Sequence, residues 1–595
     1  MRAMLVRSGL TLLLVGVAAA ACGSDESRRA YADDAGGPDP EGDAASPYGD
    51  GGAVFDVCEP TRLRELGSMA GCRYHLTAST WNKDEGSIGD GCWALAVSNP
   101  GTGPARLRLR FKRRDETKAR EEDGAPYARR PVFDGRRVTY EPLEGGVLAP
   151  RQTAIVSAIY IAPVDPGELV GTSLCPTKAF VEHNEAAARD ERITPSIELV
   201  SDAPVLASQI ARYHLDATSS SETLPIGYAN SHHHLLFPVH LWEAQAVETG
   251  IYKPGLPATL PTVDSPHPTE PGRTFVIAAF DDTRVSLPTL EGAPRGVTLQ
   301  RGEVFSHTTK DALAGRAASA DKPVALVSFA PMPTIDWHYQ APFIPGTDIA
   351  PCYSMAMPSS LWGSSYVAAR HGNRWEELEE APAWRVLGGA DGTVLTYEPY
   401  RPDGAPESIG RGELAVFFAD APFVIRSQDA AHAFYFSQSM TDAIYQLDRY
   451  GLVGPEAEDW RGGAFTVHQM AVERWSKRYP VFAPHDFYDH SLVLVRRRGG
   501  ADVRLDCAGV VDGWQAVGAD FEFARVKLTD LYEEVLYEAG ACQAGPHWIE
   551  SDEPFSGTLW GWGGSESSTL HRGSSTVYAV PLVGADVLPS PPSTK

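Results

Sequence analysis

A short phrase recurs along this chain and limits the folds open to it more than any other feature. It reads small-Asp-x-Pro-apolar: Ser201-Asp202-Ala203-Pro204-Val205, Ala320-Asp321-Lys322-Pro323-Val324, Ala419-Asp420-Ala421-Pro422-Phe423 and Ser551-Asp552-Glu553-Pro554-Phe555. Asp can bond its own backbone two residues on, and Pro suits a strand's first position, where no ladder donor is needed. Each copy is therefore expected to be a turn entering a strand. Upstream of each copy, two apolar runs flank a turn: Asn99-Pro100-Gly101, Asp281-Asp282-Thr283, Asp391-Gly392-Thr393 and Gly499-Gly500. Such alternation around turn residues predicts β-hairpins. A third recurrence opens the units, with Pro238 and Trp242, Pro358 and Trp362, then Ala471 and Trp475, the Trp residues lying 120 and 113 positions apart. Tyr366 and Tyr479 each follow their Trp by four.

Self-similarity at a fixed period is the mark of repeat architectures. The order within a unit is a Trp-led strand, a hairpin, a Gly-Glu strand (Gly302-Glu303, Gly412-Glu413) and the Asp-x-Pro strand, which predicts an antiparallel meander. The expected fold is all-β, with four antiparallel units of about 115 residues. Their bounds are 54–230, 231–352, 353–465 and 466–585, followed by a disordered tail over 586–595. The units are read either as tandem sandwiches or as a propeller-like ring. Helical periodicity is confined to Thr61–Leu66 and Thr529–Glu534, each expected to form a short helix.

The amino terminus reads as an export signal over 1–21. Arg2 and Arg7 supply positive charge, Leu10 to Ala21 is apolar but too short to span a bilayer, and the run ends Ala19-Ala20-Ala21-Cys22. Small residues before a Cys resemble the lipobox of bacterial lipoproteins, which implies that Cys22 is lipidated and becomes the mature amino terminus. Acyl chains anchor firmly, since each buried methylene contributes roughly 0.8 kcal/mol. From Gly23 to Ala53 eight acids face only Arg28 and Arg29 in a background of Gly, Pro, Ala and Ser. This composition cannot build a core and is expected to be a disordered acidic tether. Gly23, rather than Asp, follows Cys22. By the lipoprotein resemblance that favours the outer membrane, at the cell surface or its periplasmic face.

The formal net charge of −25 argues against nucleic acid as a partner, which demands a basic footprint. Eight cysteines are too few for a disulfide scaffold, yet an exported chain can oxidise them. With Cys22 lipidated, seven remain, so at least one is unpaired within the chain. Cys507 with Cys542 is the favoured pair, because both lie in the last unit, and Cys72 with Cys92 is a looser choice.

The order of the phrases resembles the IgGFc-binding protein N-terminal domain family, as found in large exported lipoproteins of deltaproteobacteria, myxobacteria among them. The carrying residues are Gly71-Cys72-Arg73-Tyr74, Ala96 to Gly101, Ser201 to Val205 with Gln209, Leu235-Leu236-Phe237-Pro238 with His240, Asp281-Asp282-Thr283 with Val285, and Asp321 to Val324. The resemblance covers about residues 58 to 585. It implies an exported adhesive or protein-binding module, and the family pattern carries over no catalytic residue. The chain departs from the family at Ser231-His232-His233-His234 and in the charged stretch Phe111–Arg137.

A search for chemistry supports the same class. His232 and His234 would share one face of a strand and are weighed as metal ligands, together with His214 and His240, against loop histidines without metal. The loop reading prevails, and no metal or other cofactor is expected. Arg106, Arg108 and Arg110 alternate with Leu107, Leu109 and Phe111 on a half-buried strand and form a candidate binding patch for an acidic polymer. Interspersed Asp115, Glu116, Glu121, Glu122 and Asp123 argue for a solvated hairpin tip instead. No Gly-x-Ser-x-Gly elbow, His-Glu-x-x-His or phosphate-binding Gly-Lys loop occurs, and Asp336-Trp337-His338 has no nucleophile beside it. Trp242, Trp362 and Trp475 are expected in the core. The reading is a lipid-anchored, non-catalytic envelope protein that binds a protein or polysaccharide and touches the membrane through the lipid on Cys22. The rival readings are a carbohydrate-active enzyme with paired carboxylates and a lectin-like glycan binder.

Overall fold

The computed structural model describes residues 57–79, 91–135, 137–161, 175–182, 187–188, 193–213, 232–250, 272–287, 295–309, 314–330, 352–375, 378–441, 461–485, 487, 489–563 and 577–584. Residues 1–56 with Cys22, on which the expected signal and tether fall, the stretch 586–595, His214, Ser231 and Asp336-Trp337-His338 lie outside them. The described chain is nearly all β, in several antiparallel sheet systems. The short helix Pro60–Glu65 stands where one is expected, N-capped by the Glu59 carboxylate. Thr529–Glu534 is instead the end of the strand Phe521–Asp530, a turn, and the start of the strand Glu533–Tyr537. Ala524, Val526 and Leu528 point inward while Arg525 and Lys527 stay exposed, and that alternation satisfies a strand.

Each sheet system is organised by one long crossing strand: β1 (Ile197–Tyr213), β3 (Ala317–Ala330), the pair β5 (Phe423–Ser427) and β6 (Phe434–Met440), and β8 (Gly545–Trp562). The first part of each pairs with one set of neighbours and the second part with another. Residues 198–201 of β1 pair with Leu107–Phe111, whereas residues 206–213 pair with Gly91–Ser98. In β3, β5 with β6, and β8 the same division recurs.

The change of sheet falls at the Asp-x-Pro phrase. Register slips between Val200 and Val205, between Ser319 and Val324, and between Glu550 and Phe555 against the strand that opens each system. In these three systems the phrase is therefore a bulge inside a strand, not a turn entering one. Pro is tolerated there because the ladder is already broken. In the third system the phrase is a turn entering a strand, as the sequence suggests. Ala419-Asp420-Ala421-Pro422 lies ahead of β5, and the crossing itself is the Asp429-capped turn Ala430–His432 between β5 and β6.

The expected hairpins are also corrected. Gly272–Ala278 and Thr283–Leu287 do not pair with each other; both pair with β3, on its second and first parts respectively. Asp281-Asp282-Thr283 and its counterparts are thus arches that carry the chain between sheets. The bulge fastens the arch: backbone N–H groups of Arg106 and Arg284 donate to Asp202 and Asp321 at 2.7 and 2.8 Å. Val394 N–H donates to Gln428 in the same way at 2.9 Å. The Asp side chain of the phrase therefore serves the neighbouring strand.

A tyrosine locks the crossing in three of the systems. The hydroxyls of Tyr74, Tyr366 and Tyr479 accept from the N–H three residues earlier, at 3.1, 2.9 and 2.6 Å. They donate to the carbonyls of Val205, Phe434 and Phe555, just past the crossing. All three side chains are fully buried. Replacing Tyr366 with Phe leaves a buried N–H and carbonyl without their shared partner and is expected to cost about 1–3 kcal/mol. Urea denaturation read by fluorescence checks it, and a midpoint unchanged from wild type would refute the tie.

After each crossing strand a short linking strand pairs with its second part: β2 (His232–Leu235), β4 (Cys352–Met355), β7 (Phe465–His468) and β9 (Val577–Pro581). Around the centre β2 contacts β4, β4 contacts β7, β7 contacts β9 and β9 contacts β2, which closes a circuit. Of the two arrangements left open by the sequence, a row of independent sandwiches is incompatible with that contact. A single apolar cluster passes through this centre, joining Trp93, Phe237, Phe275, Tyr353, Tyr435 and Val583.

Candidate functional site

Three linking strands lead into 3-10 turns, Val239–Leu241, Ser359–Leu361 and Val472–Arg474, preceded by Pro238, Pro358 and Ala471. The tryptophan closing each turn folds back, and its indole N–H donates to the carbonyl of Phe237, Met357 or Met470 at 2.8, 3.1 and 3.3 Å. Trp242 and Trp362 are buried and Trp475 is half-buried. Neighbouring turns hold each other. Glu243 accepts from Ser359 and Ser360 N–H at 2.9 and 2.8 Å, Ser364 N–H donates to Glu473 at 3.0 Å, and Arg64 donates to the His240 carbonyl at 3.0 Å.

The histidine triplet lies on β2 and is entirely buried. His232 and His234 do share a face, as strand alternation requires, but that face meets the Tyr353 ring of β4 at 5.6 and 6.1 Å. His234 stacks nearly parallel to it, and neither of its ring nitrogens has a hydrogen-bond partner. These are core positions rather than loop ones. His233 faces the other way: its Nε2 lies 2.6 Å from Ser208 Oγ, and its ring packs on Tyr578 and Phe482. Burial pushes His233 and His234 down to about 3 and His468, on β7, to about 4. His468 is held by Tyr435 OH at 2.7 Å and the Met355 carbonyl at 2.9 Å. His240 bonds the Ser68 carbonyl at 2.9 Å.

Among the described residues, the group of three metal-type donors lying within reach of one another is Asp506, Cys507 and His547. Its sulfur is already in the Cys507–Cys542 disulfide. His547 places Nδ1 3.0 Å from Asp506 and Nε2 2.7 Å from the Gln543 carbonyl. With every donor occupied in this way, the cluster is a structural staple. Cys58 joins Cys72 and Cys92 joins Cys175, so Cys72 and Cys92 do not pair with each other, contrary to the looser expectation.

The arginine strand forms as Leu107–Phe111, with Leu107, Leu109 and Phe111 buried. Arg108 is paired with Glu121 at 2.9 Å and Arg110 with Glu198 at 3.3 Å, while Arg106 is exposed beside the bulge. The cations at 108 and 110 are therefore neutralised from within. Sequence reasoning missed the group that does this. Glu198 is 2 % exposed and is surrounded by Arg73 at 2.8 Å, Arg301 at 3.1 Å, Arg110 and His75. Burial works to raise its carboxyl, yet His75, Arg73 and Arg301 hold it well below the carboxylate range. His75 in turn is pushed down by burial to about 4. A charge amid the apolar run Ile197-Glu198-Leu199-Val200 was the one signal available.

Glu198, Arg108, Arg110, Asp506 and His547 are thus all engaged with partners inside the fold. A family model described as IgGFc binding protein matches residues 232–561, more than half of the 595-residue chain. The matched stretch begins at the first residue of β2 and runs through the second, third and fourth sheet systems. No curated protein and no solved structure matches.

Proposed function

The chain belongs to the IgGFc binding protein family, and from that premise we propose that it is an exported, lipid-anchored, non-catalytic protein of the cell envelope that binds a macromolecule. Membership marks a binding or adhesion type of module, and the match over 232–561 is the observation that carries the reading. Four copies of one β-unit, bounded near 54, 231, 353, 466 and 585, would form a stiff body. The arch and hairpin loops at its periphery would meet a protein or polysaccharide partner. Arg106, exposed at an arch, belongs to that periphery.

Anchorage is attributed to acylation of Cys22, with Gly23 favouring the outer membrane. Cys22→Ser is expected to abolish incorporation of radiolabelled palmitate and to move the chain from the membrane to the soluble fraction. Equal labelling of the variant would refute the anchor.

The binding reading is tested with the full-length chain in detergent, immobilised and offered purified immunoglobulin Fc and acidic envelope polysaccharide. Saturable binding to either, without turnover, supports it. Absence of binding to both counts against it, and glycan turnover lost on changing one acidic pair would replace it with the enzyme reading.

A further inference from the structure

The circuit of linking strands closes where β2 meets β9, and that junction is built around two histidines, one from the first sheet system and one from the last. His233, on β2, packs on Tyr578 of β9 at 5.1 Å and on Phe482 at 6.3 Å, with Ser208 of β1 at 2.6 Å. Its Nδ1 has no hydrogen-bond partner. His490, on the strand Asp489–Arg497, packs on the same Tyr578 ring at 5.8 Å and on Phe487, and its Nδ1 lies 2.8 Å from Thr529 Oγ1. Both side chains are buried. Tyr578 is thus held between one ring contributed by the first sheet system and one by the last.

We propose that this seam is an acid-sensitive joint: protonation of His233 and His490 releases β2 from β9.

The charge has nowhere to go inside the joint. Ionisable groups acting on His233 are His234 and His490, and those acting on His490 are His547 and His485, all of them histidines. The Pro484 carbonyl favours the charged form of His490. Asp489 is buried, accepting from Trp562 Nε1 and Leu531 N–H at 3.0 and 2.9 Å, and His490's strand neighbours alternate away from it. His485 turns its ring to Phe133 and Tyr213 of the first system. A second proton at this place therefore meets like charge and aromatic walls. Burial pushes both rings down to about 3. With the closed-state value lowered from the 6.5 of a free ring, closure is fully stabilised above pH 6.5 and is lost as pH falls from there toward 3. An exposed salt bridge also ties the same two systems, Arg151 to Glu550 at 3.2 Å.

The test is hydrogen–deuterium exchange on the full-length chain in detergent at pH 7.5, 5.5 and 4.5, with rates corrected for intrinsic pH dependence. Two pH units below the free value, each ring shifts the equilibrium toward opening by about 100-fold, or roughly 10⁴-fold for both. Protection of β2 and β9 is expected to fall by that order at pH 4.5 while Gly272–Ala278, inside the second system, keeps its own. Equal retention in β2, β9 and Gly272–Ala278, or simultaneous loss in all three, overturns the proposal. In the His233→Gln/His490→Gln variant, protection of the seam at pH 4.5 is expected to return toward its neutral value, and undiminished acid loss overturns the assignment. Should that variant not fold, the wild-type comparison still decides.

Discussion

Arg374→Met is expected to destabilise the third sheet system by about 3–5 kcal/mol, the cost of leaving one partner of a buried ion pair without the other. Arg374 and Glu380 side chains are 0 and 1 % exposed and approach to 2.8 Å. Burial works to raise the Glu380 carboxyl, and Arg374 and His371 hold it down. The guanidinium also donates to the carbonyls of Arg461 and Thr441, both at 2.9 Å, and so pins two segments distant in sequence. Its Cζ lies 5.0 Å from the Trp375 ring, which makes urea denaturation followed by tryptophan fluorescence a local reading. Restoring most of the loss with Arg374→Met/Glu380→Leu would show that the stranded carboxylate carries the cost. An Arg374→Met midpoint at the wild-type position would contradict the burial of the pair.

Trp384→Ala is expected to cost a similar amount, about 3–5 kcal/mol, through the cavity it opens. The indole is 1 % exposed and stacks on Phe436 at 5.2 Å and 8°, with Phe423 edge-on at 5.4 Å. Its N–H donates to the Ala419 carbonyl at 3.0 Å. Phe423 starts β5 and Phe436 lies in β6, so one ring bridges the two parts of a crossing that this system alone has broken in two. Trp384→Phe should retain part of the stacking and lose less than Trp384→Ala; equal losses in thermal unfolding would mean that stacking contributes nothing there.

The strands were legible because alternation is local. Leu107, Leu109 and Phe111 point inward in the structure as their spacing requires. Pairing was not legible, since a run records its faces but not its partner. Asp281-Asp282-Thr283 therefore read as a hairpin turn, although both flanking strands are bound to β3. The third crossing escaped for a different reason. It carries no proline, and a look-alike at Ala419–Phe423 stood one strand earlier. The triplet of histidines drew a loop reading because consecutive polar residues usually face water. Here both faces of β2 are covered, by Tyr353 and by Tyr578, which only the closed circuit can bring about. Glu198 belongs to the same class: its arginines come from positions 73, 110 and 301, and no window of sequence contains them. Family resemblance was legible in the order of phrases, and the match over 232–561 agrees with it.

Closure of the array on itself is the claim on which the seam, the buried histidines and the stiffness of the body all depend. Leu235 of β2 and Val580 of β9 line one apolar crevice between the first and last systems. Methyl–methyl nuclear Overhauser measurements on the methyl-labelled full-length chain test this directly. A cross-peak between Leu235 and Val580 is predicted, comparable to that of Val580 with its ladder partner Leu559. A clear Leu559–Val580 peak with none from Leu235 would contradict the closed circuit and leave an open row of sheets.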